Sequence, residues 1–106
     1  MAISEAEFQS QVIDLAHRYG WFVSHQRPAQ LAGRWMTPVQ GDAGAPDLLL
    51  AHPRYGVRLV ELKTDTGRLS PEQVKWGKAI EGSTTLYRIW RPADLAEIIS
   101  TLAGRQ

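Results

Sequence analysis

The 106-residue chain contains no cysteine, which excludes disulfide bonds, cysteine-ligated zinc and thiol catalysis. It also lacks an apolar run of about 18 residues, the length that a membrane-spanning helix needs. Its first residues show no basic stretch followed by an apolar one, so a secretory signal is not expected there. We therefore expect a cytoplasmic protein without a membrane partner, folded as a single domain over residues 1–106.

A strong excess of charge is missing as well. The 12 Lys and Arg residues face 11 Asp and Glu residues, which gives a formal net charge of +1. That balance does not by itself indicate a nucleic-acid-binding protein. The basic residues are nine arginines and only three lysines, and arginine is the better bidentate ligand of phosphate. The composition is thus compatible with a nucleic-acid partner and does not establish one.

Apolar periodicity and turn signals predict the element order α-β-β-β-α-β-α. Helices are predicted over 4–19, over 70–82 and from Pro92 onward, and strands over 21–26, 47–51, 57–63 and 84–90. The proline- and glycine-containing segment 27–45 is predicted to be a long loop, a feature that is often functional. A hairpin over 47–63 followed by a β-α-β unit predicts an α/β fold with a mixed central sheet flanked by helices.

Charged residues interrupt the apolar pattern at the end of the predicted hairpin. Glu61 and Lys63 share one face of the strand 57–63, because side chains alternate sides along a strand. Asp47 follows Pro46 at the mouth of the same hairpin. Each has an ordinary interpretation, namely an ion pair at a sheet edge for Glu61 and Lys63 and a turn residue for Asp47. Together, carboxylates beside a lysine suit Mg²⁺ or Mn²⁺ and the cleavage of a phosphodiester.

Two residues on the predicted helices extend this set. Glu5 lies three residues before Phe8 and seven before Val12, which predicts that it lies on the buried stripe of the first helix. Gln73 lies on the corresponding stripe of the second helix. It also has capping-box spacing from Ser70, a structural role that is sufficient by itself and does not exclude the other.

The order of these motifs resembles a known nuclease signature. The PD-(D/E)XK nucleases are similar to this chain in Gly44-Ala45-Pro46-Asp47, followed after thirteen residues by Glu61-Leu62-Lys63. Further segments narrow the resemblance to a stand-alone VRR-NUC domain of the type that phages often encode: Ser4-Glu5-Ala6-Glu7-Phe8-Gln9, Gly67-Arg68-Leu69-Ser70-Pro71-Glu72-Gln73, Trp76 and Trp90-Arg91-Pro92. The resemblance covers nearly the full length and implies the restriction-endonuclease-like αβββαβ core, in agreement with the predicted element order.

The resemblance implies catalytic roles for five residues: Asp47, Glu61, Lys63, Glu5 and Gln73. Asp47 and Glu61 would bind Mg²⁺ or Mn²⁺, with the Leu62 backbone carbonyl as a further ligand and Glu5 as a candidate one. Lys63 would orient or activate the attacking water and stabilise the charged phosphate. Gln73 matches the glutamine that follows this strand in the family. The implied activity is metal-dependent hydrolysis of DNA.

Stand-alone members of the family resemble Holliday junction resolvases, which implies branched DNA as partner and a bacterial or phage-infected cell as location. Resolution of a junction requires two symmetric cuts in the DNA, which favours a twofold symmetric homodimer. For DNA contacts we predict six residues: Arg27, Arg34, Trp35, Arg68, Lys75 and Lys78. For Lys75 and Lys78, a solvated helix face is an equal interpretation. Trp35 could instead contact a dimer partner or cover the core rather than stack on a base.

Two other functions remain open at this point. The chain could be a flap or duplex nuclease of the same fold, which the sequence does not separate from a resolvase. A nuclease-like module that binds DNA without cutting would show a broken motif, whereas Asp47, Glu61 and Lys63 are all present. Trp76 and Trp90 are expected in the core. The histidines show no metal-ligand spacing and are expected to be structural.

Overall fold

The computed structural model describes residues 2–25 and 41–105 in full and, between them, the backbone of 29–31 and 34–36. Its elements are α1 (Glu5–Arg18), β1 (Phe22–His25), β2 (Ala29–Leu31), β3 (Arg34–Met36), β4 (Leu48–His52), β5 (Gly56–Leu62), α2 (Pro71–Glu81), β6 (Leu86–Trp90), a 3-10 turn (Pro92–Asp94) and α3 (Leu95–Leu102). The predicted element order is confirmed, with boundaries that differ by one to three residues: the last helix begins at Leu95 after a 3-10 turn rather than at Pro92. The pair β2–β3 is an addition to that order.

The central sheet has four strands in the order β1-β4-β5-β6. The strand β4 runs antiparallel to both β1 and β5, whereas β6 runs parallel to β5. A parallel neighbour requires a crossover, and α2 supplies it. The predicted mixed sheet flanked by helices is therefore confirmed.

The prediction of a single long loop over 27–45 is wrong, because β2 and β3 pair there as a separate antiparallel hairpin. The sequence carries a signal for it: Ala29–Leu31 and Arg34–Met36 are separated by two residues, one of them Gly33, which is the spacing of a two-residue hairpin connection. Arg27 lies outside the described residues, and for Arg34 and Trp35 only the backbone is described. The predicted DNA contacts of these three side chains therefore stay predictions.

One face of the sheet forms the core with α1 and α3. The helix α1 begins at Ser4, whose hydroxyl accepts a hydrogen bond from the Glu7 N–H at 3.1 Å, an N-cap that satisfies one free amide of the first turn. The fully buried core side chains are Phe8, Val12, Ala16, Leu48, Leu50, Val60, Leu62, Trp90, Ile98 and Leu102. Trp90 is thus in the core, as predicted.

The opposite face of the sheet is covered only in part. The helix α2 packs on it next to β6, where Gly77 lies against the Tyr87 ring. Farther from α2, apolar side chains of β1, β4 and β5 are exposed: Phe22 by 73%, Leu49 by 46% and Val57 by 44%. The strand register places all three on the side that also carries Glu61. In the described part of the chain, no helix is long and apolar enough to cross a membrane.

Candidate active site

Asp47 and Glu61 meet at the end of the β4–β5 hairpin. The antiparallel register pairs Leu48 with Val60, so the next pair along places Asp47 opposite Glu61. Their carboxyl groups share a hydrogen bond, and the Leu62 N–H donates to Asp47 Oδ2 at 2.9 Å. Glu61 is only 1% exposed and Asp47 is half-buried, so the hairpin holds two acidic groups close together, one of them shielded from bulk water.

Gln73 joins this pair from the first turn of α2. Its Oε1 accepts from the Ser70 N–H at 2.8 Å, and its own N–H donates to Ser70 Oγ at 3.1 Å, which completes a capping box. Since the cap uses the amide oxygen, the amide nitrogen is directed to Glu61 and donates to Oε1 at 3.0 Å. The two predicted roles of Gln73 therefore coincide, and the helix cap fixes the orientation of Glu61.

The segment before Asp47 is packed against α2. Gly44 has φ of +98°, and a Cβ at this position would lie 2.7 Å from the Cβ and carbonyl carbon of Glu72. The Trp76 indole N–H donates to the Ala43 carbonyl at 3.0 Å. Trp76 is only half-buried, so its predicted place in the core is wrong: α2 covers the edge of the sheet, and its Trp76 side chain reaches a surface segment.

Gly44→Ala should lower stability by more than about 2 kcal/mol, because the new methyl group adds a clash with α2 to the cost of a positive φ. Gly41→Ala is the matched control, since Gly41 has φ of +105° but no atom within 4 Å of the added Cβ. Thermal unfolding followed by circular dichroism measures both. Equal losses in the two variants would contradict the close contact between Gly44 and α2.

Burial dominates the electrostatics of the site. Burial is the largest of the causes that together raise the pKa of Glu61 from 4.5 to about 9; the hydrogen bond and negative charge of Asp47 act in the same direction, whereas the positive charge of Lys63 opposes the shift. The pKa of Tyr87, beneath α2, is raised as well, first by burial and then by the charge of Glu61. In the absence of a cation, the carboxyl pair therefore holds a proton at neutral pH.

Lys63 directly follows β5, and its N–H donates to the Trp90 carbonyl at 3.0 Å. Its side chain is half-buried. Its ammonium is close enough to lower the pKa of Glu61, the direction expected of a nearby positive charge. The structure thus brings the lysine to the same strand end as the acidic pair.

Glu5 is exposed, so the prediction that it lies on the buried stripe of α1 is wrong. The buried stripe begins one turn later at Phe8, because the first residue of the helix projects beyond the edge of the core. Glu5 is nevertheless near enough for its negative charge to raise the pKa of Glu61. It faces the site from its solvent side.

Two of the three predicted carboxylates come together. Over residues 2–25 and 41–105, no group of three or more His, Asp and Glu side chains is placed to hold one metal ion, so a metal-binding role of Glu5 stays a prediction. Mg²⁺, however, is commonly held by one or two protein carboxylates, with waters and substrate phosphate as the remaining ligands. The mutual repulsion of Asp47 and Glu61 is the type that a divalent cation removes. The donor set therefore fits a hydrated divalent cation.

The role of Arg91 was not predicted from its place in the sequence. Its guanidinium donates to the carbonyl oxygens of Thr64 at 2.6 Å and of Gly67 at 2.8 Å, which fixes the turn that follows Lys63. The available sequence signal is the Trp90-Arg91-Pro92 motif, which does not show which carbonyl groups the arginine reaches.

The three predicted DNA-contacting residues that the structure describes are all exposed: Arg68, Lys75 and Lys78. Lys75 lines a groove beside Trp76, whereas Lys78 lines a smaller hollow beside Tyr87. The two lysines of α2 thus border different depressions.

A mixed sheet with an αβββαβ core, and with acids and a lysine at the end of its central hairpin, defines a nuclease-like class of fold. Residues 10–91 match the model of the VRR-NUC domain family, and the chain belongs to that family. Among solved structures, one described as a VRR_NUC domain matches at 21% identity and a TM-score of 0.62, covering 91% of this chain and 94% of its own. A second, described as a VRR_NUC domain protein, matches at 20% identity and a TM-score of 0.62, covering 96% and 87%. The search of curated proteins gives no match.

Proposed function

We propose that this protein is a Mg²⁺- or Mn²⁺-dependent DNA endonuclease that cuts branched DNA in the manner of a Holliday junction resolvase. The observation that carries the proposal is the pairing of the buried Glu61 with the half-buried Asp47, with Lys63 on the same strand end, in a member of a nuclease domain family. Burying one acid next to a second acid is unfavourable for folding, so this arrangement in a small domain favours a role in chemistry.

In this proposal Asp47 and Glu61 hold the cation, with the Leu62 carbonyl and Glu5 as further candidate ligands. When bound, a divalent cation lowers the pKa of a water molecule and neutralises charge on the scissile phosphate. The Leu62 N–H fixes Asp47, and the amide of Gln73 fixes Glu61. These two hydrogen bonds orient both carboxyl groups before substrate arrives.

The role proposed for Lys63 is electrostatic. Its ammonium, placed beside the acidic pair, supplies a fixed positive charge where negative charge develops on the phosphate. The hydrogen bonds from Arg91 to the following turn keep this strand end in place. Lys63 would also orient the attacking water.

A panel of DNA substrates tests the proposal. Four-way junctions, flaps, duplexes and single strands, each labelled on every strand, are incubated with Mg²⁺, with Mn²⁺ or with EDTA, and the products are resolved on denaturing gels. Symmetric, metal-dependent nicks in junction strands are expected. Preference for flaps or plain duplex would favour the alternative nuclease of the same fold, and binding without cleavage of any substrate would indicate a non-catalytic module.

The proposed enzyme acts as a homodimer, because the two cuts of a junction are related by twofold symmetry. The exposed apolar side chains Phe22, Leu49 and Val57 support this, since they form a patch on the face that also carries Glu61 and such patches mark interaction surfaces. DNA contacts by Arg68, Lys75 and Lys78, and by Arg27, Arg34 and Trp35, belong to the same proposal.

Phe22→Ser should convert a dimer into a monomer without unfolding it, because the side chain is 73% exposed in the single chain. Light scattering coupled to size-exclusion chromatography gives the mass. Leu95→Ser is the matched control, since Leu95 is 44% exposed on α3, away from the patch. A wild-type monomer at all concentrations would argue against the dimer, and a Phe22→Ser dimer would place the contact elsewhere.

A further inference from the structure

A groove lies between the segment that leads to Asp47 and the helix α2. It has a volume of about 430 Å³ and is lined by Asp42, Ala43, Glu72, Lys75, Trp76 and Ala79. This volume is within the range of small-ligand sites in proteins. None of its lining residues belongs to the proposed catalytic set, so the groove is a feature separate from the chemistry.

An aromatic ring held in a fixed position forms part of the lining. The indole N–H of Trp76 donates to the Ala43 carbonyl across the groove at 3.0 Å. Because this bond satisfies the only polar atom of the side chain, what Trp76 presents to the groove is apolar aromatic surface. Aromatic side chains of this kind are the surfaces on which nucleic-acid bases stack.

Both walls of the groove continue into the candidate active site. On the helix wall, Glu72 directly precedes Gln73, whose amide donates to Glu61 at 3.0 Å. On the other wall, Ala43 directly precedes Gly44, which packs against Glu72. A nucleotide whose phosphate lies at the acidic pair therefore has a neighbour within reach of the groove.

The charges in the groove distinguish a base from a phosphate. Asp42 and Glu72 carry carboxylates, which repel a phosphate group but accept hydrogen bonds from the amino groups of bases. Lys75 is the only basic residue among the lining side chains that the structure describes, and it is suited to the phosphate that joins the base to the strand. Apolar aromatic surface with carboxylate acceptors at its border matches a nucleobase.

We propose that this groove takes up one unpaired base of branched DNA, stacked on Trp76 and next to the phosphate that is cut. The inference rests on the proposed function, since it assigns part of the substrate to a place beside that site. Unstacking a base from an intact duplex is unfavourable, whereas bases at a branch are more easily released. The groove would thus select branched DNA over plain duplex without reading sequence.

Filling the groove tests the inference. Ala79 is exposed on α2, and Ala79→Leu introduces a larger side chain that a helix accepts readily. Ala96→Leu makes the same change at an exposed position of α3 and serves as the control. Because stacking on an aromatic side chain contributes strongly to binding, we expect Ala79→Leu to weaken junction binding about 10-fold or more and Ala96→Leu to leave it unchanged.

A base-deletion series identifies the nucleotide. Abasic sites are placed one at a time around the branch, and binding is measured by fluorescence anisotropy with each protein carrying Glu61→Gln, so that no strand is cut. In the protein with Glu61→Gln alone, an abasic site at one position should weaken binding as much as Ala79→Leu does. In the protein that also carries Ala79→Leu, the same abasic site should cause no further loss of affinity, since both changes remove the same contact. Non-additivity at that position is the signature of a base in the groove.

The inference would be overturned if the abasic sites at all positions affected binding equally, or if Ala79→Leu bound junctions as tightly as Ala96→Leu. The result is separable from the proposed function. If junctions are cut but every abasic position affects binding equally, the proposed nuclease activity would stand and the base site would be wrong. Non-additive effects of Ala79→Leu and one abasic site, in a protein that cuts no substrate, would support the base site and identify the protein as a DNA-binding module without nuclease activity.

Discussion

Glu61→Gln is expected to abolish DNA cleavage and, at the same time, to make the metal-free protein more stable at alkaline pH. The replacement has nearly the same shape and can still accept the hydrogen bond from Gln73. It cannot become an anion, so it is a poor ligand for a divalent cation. Removing this ligand should lower the single-turnover rate by at least about 10³-fold, because the charge stabilisation of the transition state is lost.

The gain in stability follows from the sign of the pKa shift. Glu61 has a pKa of about 9 in the folded chain against an ordinary value of 4.5. Between these values the folded protein holds a proton that the unfolded chain releases, so the stabilising effect is full below pH 4.5 and is lost as the pH rises. The free energy of unfolding should fall by up to roughly 1 kcal/mol per pH unit in this window, and Glu61→Gln should remove this dependence.

Thermal unfolding in EDTA at several pH values measures this slope. A change of 1 kcal/mol shifts the melting temperature of a domain of this size by several degrees. Glu97→Gln provides the control, because Glu97 is exposed on α3 and the substitution is chemically the same. If wild type and Glu61→Gln lost stability equally with rising pH, the buried protonated carboxyl would be ruled out.

Lys63→Met is expected to reduce cleavage by at least about 10³-fold while leaving the fold and DNA binding nearly intact. The methionine retains the apolar stem of this half-buried side chain and removes only the ammonium. That charge is close enough to Glu61 to lower its pKa, and a preorganised charge at the phosphate is typically among the largest contributions to catalysis. Single-turnover cleavage and anisotropy measure the two effects separately.

Lys63→Arg is the informative companion, since it keeps the charge and changes its geometry. An intermediate rate is expected, because the guanidinium is larger and directs its donors differently. A Lys63→Met variant that cleaves at the wild-type rate would show that the ammonium takes no part in the reaction, whatever the arginine variant does.

The pairing of Asp47 with Glu61 could be predicted from the sequence because it depends on local rules. Alternation along a strand and a short hairpin place these two residues opposite each other, and the capping box of α2 fixes Gln73 beside them. Each rule involves residues close in sequence or paired through one turn. The metal chemistry assigned to them remains a prediction.

Features that depend on where the core ends could not be predicted in the same way. Helical periodicity identifies the stripe of Phe8 and Val12 but does not show that Glu5, one turn earlier, lies beyond the covered area. The spacing of Trp76 on α2 is equally compatible with a core position and with contact to a surface segment. The carbonyl groups that Arg91 contacts are 24 and 27 residues away in sequence, so its role depends on tertiary contacts alone.

The proposed mechanism depends most on the joint binding of a divalent cation by Asp47 and Glu61. The most direct test is equilibrium binding of Mn²⁺ at neutral pH, followed by loss of the electron paramagnetic resonance signal of free Mn²⁺, for wild type, Glu61→Gln and the control Glu97→Gln. Wild type and Glu97→Gln are expected to bind Mn²⁺, whereas Glu61→Gln is expected not to bind it. Binding of equal strength by all three proteins, or no binding by wild type with or without branched DNA, would contradict it.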